Sequence, residues 1–94
     1  MKAKLTKSDK KNKRYKVVID GKKTIHFGQK GGSTFIDHKN NAKKSDWIAR
    51  HKVNENWTDP KTAGFWAKHI LWNKPTVAAS ITNIESRFKT LDVV

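Results

Sequence analysis

The chain has 94 residues, with 21 lysines and arginines against eight aspartates and glutamates, and a formal net charge of +13. That length holds at most one domain, and the charge selects for polyanionic partners: nucleic acid first, then anionic membranes and acidic protein surfaces. The absence of cysteine excludes disulfides, cysteine-ligated zinc and thiol catalysis together, and no apolar run approaches the roughly 20 residues that cross a bilayer.

Residues 1–14 hold Lys2, Lys4, Lys7, Lys10, Lys11, Lys13 and Arg14 against the single acid Asp9, with Ala3 and Leu5 the only apolar side chains after Met1. So little apolar surface does not offset the entropy of ordering, and the segment reads as a mobile basic arm. Its positive start has no apolar segment behind it, so it is not a secretory signal.

From Tyr15 the composition changes. Tyr15-Lys16-Val17-Val18-Ile19 is aromatic and β-branched, Asp20-Gly21 is a hairpin turn signal, and Thr24-Ile25-His26-Phe27 resumes the strand pattern. Alternation places Tyr15, Val17 and Ile19 on one face of a β-hairpin, with Ile25 and Phe27 sharing a face on the return strand. Gly28 to Ser33 is a glycine-rich loop without the Gly-Lys-Ser/Thr ending of a nucleotide-binding P-loop, and Thr34-Phe35-Ile36 is a candidate third strand.

Asp37 fits the N-cap of a helix running from Lys39 to about Lys52, exposed along Lys39, Lys43, Lys44 and Arg50 and apolar only along Ala42, Trp47, Ile48 and His51. A helix this polar holds by docking that narrow seam elsewhere. After a loop containing Trp57, Thr62 caps a helix from Ala63 to about Trp72 whose apolar arc is wide enough to be covered on more than one side. Asn73-Lys74-Pro75 breaks it. A last helix opens at Pro75 or Thr76, with Val77, Ile81, Ile84 and Phe88 at helical spacing, and the chain frays after about Lys89.

The expected fold is therefore α+β: a β-hairpin, or three short antiparallel strands, packed against three helices and preceded by a disordered basic arm. The arm is 1–14, the domain 15–90 and the frayed C-terminus 91–94. All four tryptophans, at 47, 57, 66 and 72, fall within one stretch and are read first as core, the other reading being an interface.

Catalytic signals are weak. The histidines at 26, 38, 51 and 69 include no pair at the three- or four-residue spacing that puts two metal ligands on one helix face. Carboxylates are few, and no serine sits in a nucleophile motif. No enzyme, metal, cofactor or small-molecule substrate is expected.

Charge is the stronger signal. Residues 1–74 carry 19 of the 21 basic residues, whereas 75–94 are locally neutral. The expected nucleic-acid contacts are Lys2, Lys4, Lys7, Lys10, Lys11, Lys13 and Arg14 in the arm and Lys43, Lys44, Arg50 and Lys52 on the first helix. Lys22, Lys23 and Lys30 on the hairpin side come second.

The residues Thr24-Ile25-His26-Phe27-Gly28, Trp47-Ile48-Ala49-Arg50-His51-Lys52, Glu55-Asn56-Trp57, Thr62-Ala63-Gly64-Phe65-Trp66 and Ile70-Leu71-Trp72-Asn73-Lys74-Pro75-Thr76 carry a resemblance. Over roughly Tyr15 to Phe88, without the arm, the chain resembles an uncharacterised family of small basic proteins encoded by large double-stranded DNA viruses of eukaryotes and some phages. The resemblance supplies no catalytic residue. It implies a viral context, in the virion or in the cytoplasm or nucleus of an infected cell.

The expected function is sequence-independent, non-enzymatic binding of duplex DNA through phosphate contacts. The alternative is a virion structural protein, minor capsid or genome-associated, whose tryptophan-rich surface docks on a capsid protein.

Overall fold

A computed structural model describes residues 1–94 and contains four strands and four α-helices. The strands are β1 (Lys2–Lys7), β2 (Lys13–Ile19), β3 (Lys23–Gln29) and β4 (Asp92–Val93), and the helices are α1 (Phe35–His38), α2 (Asn41–His51), α3 (Ala63–Trp66) and α4 (Val77–Arg87). A π-helical turn, Ala67–Leu71, continues α3. The sheet order is β3-β2-β1-β4, antiparallel except for the parallel β1–β4 pair.

The hairpin forms where the sequence places it. Ile19 opposes Lys23, Val17 opposes Ile25 and Tyr15 opposes Phe27, while Asp20 and Gly21 take positive φ at 51° and 69°. Those angles suit the Asp-Gly pair, because glycine lacks a Cβ and aspartate tolerates the left-handed region.

The basic arm is corrected by the structure. Residues 2–7 are strand β1, paired along its length with β2 so that Ala3 opposes Ile19 and Leu5 opposes Val17. Two apolar residues two positions apart suffice, because both face the core of a sheet whose remaining area comes from other strands. Ala3 is fully buried and Leu5 packs against the core. The frayed C-terminus is corrected by the same pairing. Asp92 N–H donates to Met1 C=O at 2.9 Å and Val94 N–H to Ala3 C=O at 2.9 Å, while Leu91 and Val93 are buried.

Thr34-Phe35-Ile36 is not a third strand. The Asp37 carboxylate accepts from both the Thr34 N–H and the Thr34 hydroxyl at 2.8 Å, which starts the one-turn helix α1 by the carboxylate half of a capping box. Asp37 is thus inside α1, and the cap of α2 is Asn40, whose Oδ1 accepts from Ala42 N–H at 3.0 Å and Lys43 N–H at 3.2 Å. Lys39, at φ 56°, turns the chain between the two helices.

Thr62 caps α3 and Thr76 caps α4 through their hydroxyls. The expected helix from Ala63 to Trp72 is α-helical only to Trp66 before widening. The consecutive residues His69, Ile70, Leu71, Trp72 and Asn73 are all buried, a run that one stripe of a regular α-helix does not bury.

The core lies between one face of the sheet and the helices. Phe27 stacks on Tyr15 at 5.9 Å and faces Trp66 at 6.4 Å; Phe65 meets Phe88 edge-on at 5.1 Å. Trp66 and Trp72 are buried, whereas Trp47 and Trp57 are half-buried at the rim. Gly28, at φ +78°, lies so close to α3's continuation that a Cβ there would stand 2.9 Å from Leu71 Cδ1.

Two substitutions test this packing. Ala3→Asp places an unpaired carboxylate between β2 and β4 and is expected to lower the unfolding free energy by about 3 kcal/mol or more; a mobile arm would leave urea denaturation unchanged. Gly28→Ala combines backbone strain with a clash and is expected to cost on the order of 2 kcal/mol in the same measurement.

Candidate nucleic-acid interface

Folding of β1 into the sheet gathers basic residues that are far apart in sequence. Ser8 N–H donates to Arg14 C=O at 3.1 Å and Lys30 N–H to Asn12 C=O at 3.1 Å, so the β1–β2 loop and the end of β3 lie side by side. Lys7, Lys10, Lys11, Lys13, Arg14 and Lys30 therefore share one end of the sheet. Lys7, Arg14 and Lys30 line a cavity of about 340 Å³ there with Tyr15 and Gly31. Asp9 is the local acid, 3.7 Å from Lys16.

Arg14 is already engaged. Its guanidinium grips Asp37 in a two-pronged pair at 2.7 and 3.1 Å, with a further bond to the Thr34 hydroxyl at 3.2 Å. That pairing holds the Asp37 carboxyl well below the usual carboxylate range and raises the Arg14 pKa. Arg14 fastens β2 to α1, which leaves Lys7, Lys10, Lys11, Lys13 and Lys30 as the free cations of this end.

Other expected contacts lie elsewhere. Lys2 and Lys4 project on the open face of the sheet, alternate to Ala3 and Leu5. Asp92 pairs with Lys2 in register, and Asp20 accepts the Lys2 N–H at 2.8 Å, so carboxylates offset that part of the surface. Lys22 and Lys23 sit at the opposite turn.

On α2, Lys43 and Arg50 line a cavity of about 260 Å³ with Ser33, His38, Asp46 and Trp72, and Lys52 is the C-cap. Lys44 faces inward instead. Its ammonium donates to Asn73 C=O at 2.6 Å and stands 4.9 Å from the Phe35 ring centre, and burial followed by repulsion from Lys74 lowers its pKa.

No residue of α2 is buried, so the helix depends on stacking. Trp47 lies parallel to Trp72 at 5.0 Å and to Trp57 at 5.9 Å, and His51 stacks on Trp47 at 4.2 Å. The narrow seam read from the sequence thus docks into a slot between two tryptophans, and its outer sides present the cations.

Cations outnumber their partners throughout. Only Arg14 and Lys16 have a carboxylate within 4.0 Å, which leaves 19 of the 21 lysines and arginines without one. Among the cations outside the expected contacts, Lys68, Lys74 and Arg87 are brought together by helix packing, which no spacing in the chain announces. The exposed large apolar residues are Met1, Val53 and Val94, and no tryptophan is among them. No group of three His, Asp or Glu side chains converges as a metal site would require, and no helix is long and apolar enough to cross a membrane.

Together these features define a small α+β protein with a mixed four-stranded sheet and a surface dominated by unpaired cations. A family profile matches residues 3–51, 49 of the 94 residues, and the chain belongs to that family of unknown function (DUF5754). The match begins within β1, so the family pattern includes the segment that the resemblance left out, and it ends at the C-terminus of α2. No curated protein and no solved structure matches the chain.

His69 gives the domain a pH response. It is 1% exposed and packs against Phe65 at 4.5 Å and Phe88 at 5.2 Å. Its Nε2 meets Trp57 C=O at 2.9 Å; since a carbonyl only accepts, Nε2 carries the proton and Nδ1 is a buried acceptor without a partner. Burial, with repulsion from Lys68 and Arg87, outweighs the bond to Trp57 and lowers the pKa to about 4. The unfolded chain takes up this proton near pH 6.5 and the folded one near 4, so the stability from neutral His69 is complete above about 6.5 and lost as the pH falls toward 4. The expected loss is on the order of 3 kcal/mol, and urea denaturation at pH 7, 6, 5 and 4 measures it.

Proposed function

We propose that this protein binds nucleic acid without transforming it, and that duplex DNA is held through lysine and arginine contacts to phosphates with little base readout. The observation that carries the reading is that 19 of 21 basic side chains have no carboxylate partner. A surface in that state repels itself, and a polyanion relieves the repulsion while releasing its own condensed counterions. The first contact surface is the sheet end, where Lys7, Lys10, Lys11, Lys13 and Lys30 meet. Lys43, Arg50 and Lys52 on α2 extend it, and Lys22 and Lys23 are peripheral. Lys2 and Lys4 stand beside Asp92 and Asp20, Arg14 serves the fold, and Lys44 lies away from the sheet end on the inner side of α2.

The viral setting implied by the resemblance, in a particle or an infected cell, belongs to this reading; there a condensed genome is the natural polyanion. The capsid-docking alternative would have to use the rim, where Trp47 and Trp57 are half-buried and stacked on each other, because Trp66 and Trp72 are buried.

Fluorescence anisotropy of a labelled random-sequence duplex across a salt series tests the reading, with heparin as competitor. Log affinity is expected to fall linearly with log salt and duplex to be preferred over heparin. Replacing Lys7, Lys10, Lys11, Lys13 and Lys30 together by serine is expected to reduce the slope by about 4. Indifference between duplex and heparin would make the charge generic, and an unchanged slope would remove the sheet end from the interface.

A further inference from the structure

Four cations also meet on the helical layer, only one of which is marked by a pattern in the sequence. Lys44 comes from α2, Lys68 from the π turn, Lys74 from the connection after it and Arg87 from the last turn of α4. Asn73 is the junction. Its carbonyl accepts from the Lys44 ammonium at 2.6 Å, and its side-chain amide donates to His69 C=O at 3.2 Å and to Asn83 Oδ1 at 2.8 Å. Lys74 N–H donates to the Ser80 hydroxyl at 3.1 Å. Asn73 and the peptide that joins it to Lys74 are thereby pinned to α2, the π turn and α4 at once.

Lys68 extends over the Trp57 ring, its ammonium 5.7 Å from the ring centre, and that ring stacks on Trp47. Arg87 lies 5.5 Å from the Phe88 ring centre, and Phe88 packs on His69, the neighbour of Lys68. The group is close enough for its members to repel one another: Lys68 feels Arg87, Lys44 and Lys74.

None of the four has a carboxylate partner. Glu85, on the same last turn of α4 as Arg87, accepts from Val93 N–H at 3.2 Å instead. Lysines on an ordinary solvated surface swing apart to relieve such repulsion. Lys44 and Lys68 are held where they are by a carbonyl and two aromatic faces, partly out of water, with donor hydrogens unused. Fixed, half-desolvated like charges are costly alone and favourable around a bound anion.

We propose that Lys44, Lys68, Lys74 and Arg87 form a second phosphate-contact surface, which receives the phosphodiester backbone of nucleic acid where α2, the π turn and α4 meet. The inference rests on the nucleic-acid reading above and adds to it a place that the chain's own order hides.

The test compares two doubly substituted proteins that lose equal charge. Lys74→Ser with Arg87→Ser alters exposed side chains of the proposed surface. Lys16→Ser with Lys61→Ser alters residues outside it. Both are expected to keep the fold, which thermal unfolding checks, and duplex binding is followed across salt by anisotropy. The first variant is expected to lower the salt slope by about 2, one for each phosphate it no longer neutralises, and the second to leave it near the wild-type value. Lys68→Gln alone is expected to lower it by about 1. Wild-type slope in the first variant, or an equal fall in both doubles, would overturn the second surface while duplex binding itself stands. A wild-type protein with no salt-dependent duplex binding would remove the functional reading and this surface with it.

Discussion

The protein has to fold against a net charge of +13, and only two of its carboxylates, Asp9 and Asp37, pair with a lysine or arginine. Of the eight, Asp20, Asp37, Asp59 and Glu85 accept backbone N–H groups, and Glu55 accepts the Trp57 indole N–H. Acids here join strands, start helices and fix loops. The Arg14–Asp37 pair serves both ends, because it ties the sheet to α1 while Asp37 caps the same helix. The cost of this use is a surface of like charge, held in place by apolar burial beneath it.

The most charged elements are anchored by few apolar contacts. β1 carries lysines at positions 2, 4 and 7, yet it lies inside the sheet between β2 and β4. α2 carries Lys43, Lys44 and Arg50 with no buried residue of its own, and it stays docked because Trp47 fills the slot between Trp57 and Trp72. Flat stacking of three indoles supplies large contact area from few residues. The cationic surface and the aromatic packing are thus two sides of the same elements, which keeps the cations in a fixed arrangement rather than on a loose tail.

Much of the fold was legible in the sequence. The Asp20-Gly21 turn, the Thr62 cap, the break at Pro75 and the Val77-Ile81-Ile84-Phe88 stripe each rest on local chemistry that survives folding. β1 was hidden because its two core residues, Ala3 and Leu5, are few among lysines, and one partner strand, β4, lies at the far end of the chain. α1 was misread because Thr34-Phe35-Ile36 has strand composition, while the deciding contact is the Asp37 carboxylate on Thr34. For the candidate interface, the basic residues near the N-terminus were visible as a run but not as one end of a sheet shared with Lys30. Lys68, Lys74 and Arg87 were invisible as a group, since only the packing of the π turn against α4 joins them.

The sharpest single measurement is lysine-selective acetylation read by mass spectrometry, comparing the free protein with its complex with a random-sequence duplex. If fixed groups of unpaired cations hold the phosphate backbone, Lys7, Lys10, Lys11, Lys13 and Lys30 become protected together, while Lys61 reacts as fast in the complex as alone. Uniform protection of every lysine, or none at any, would contradict a built interface and reduce the charge to a general attraction for polyanions.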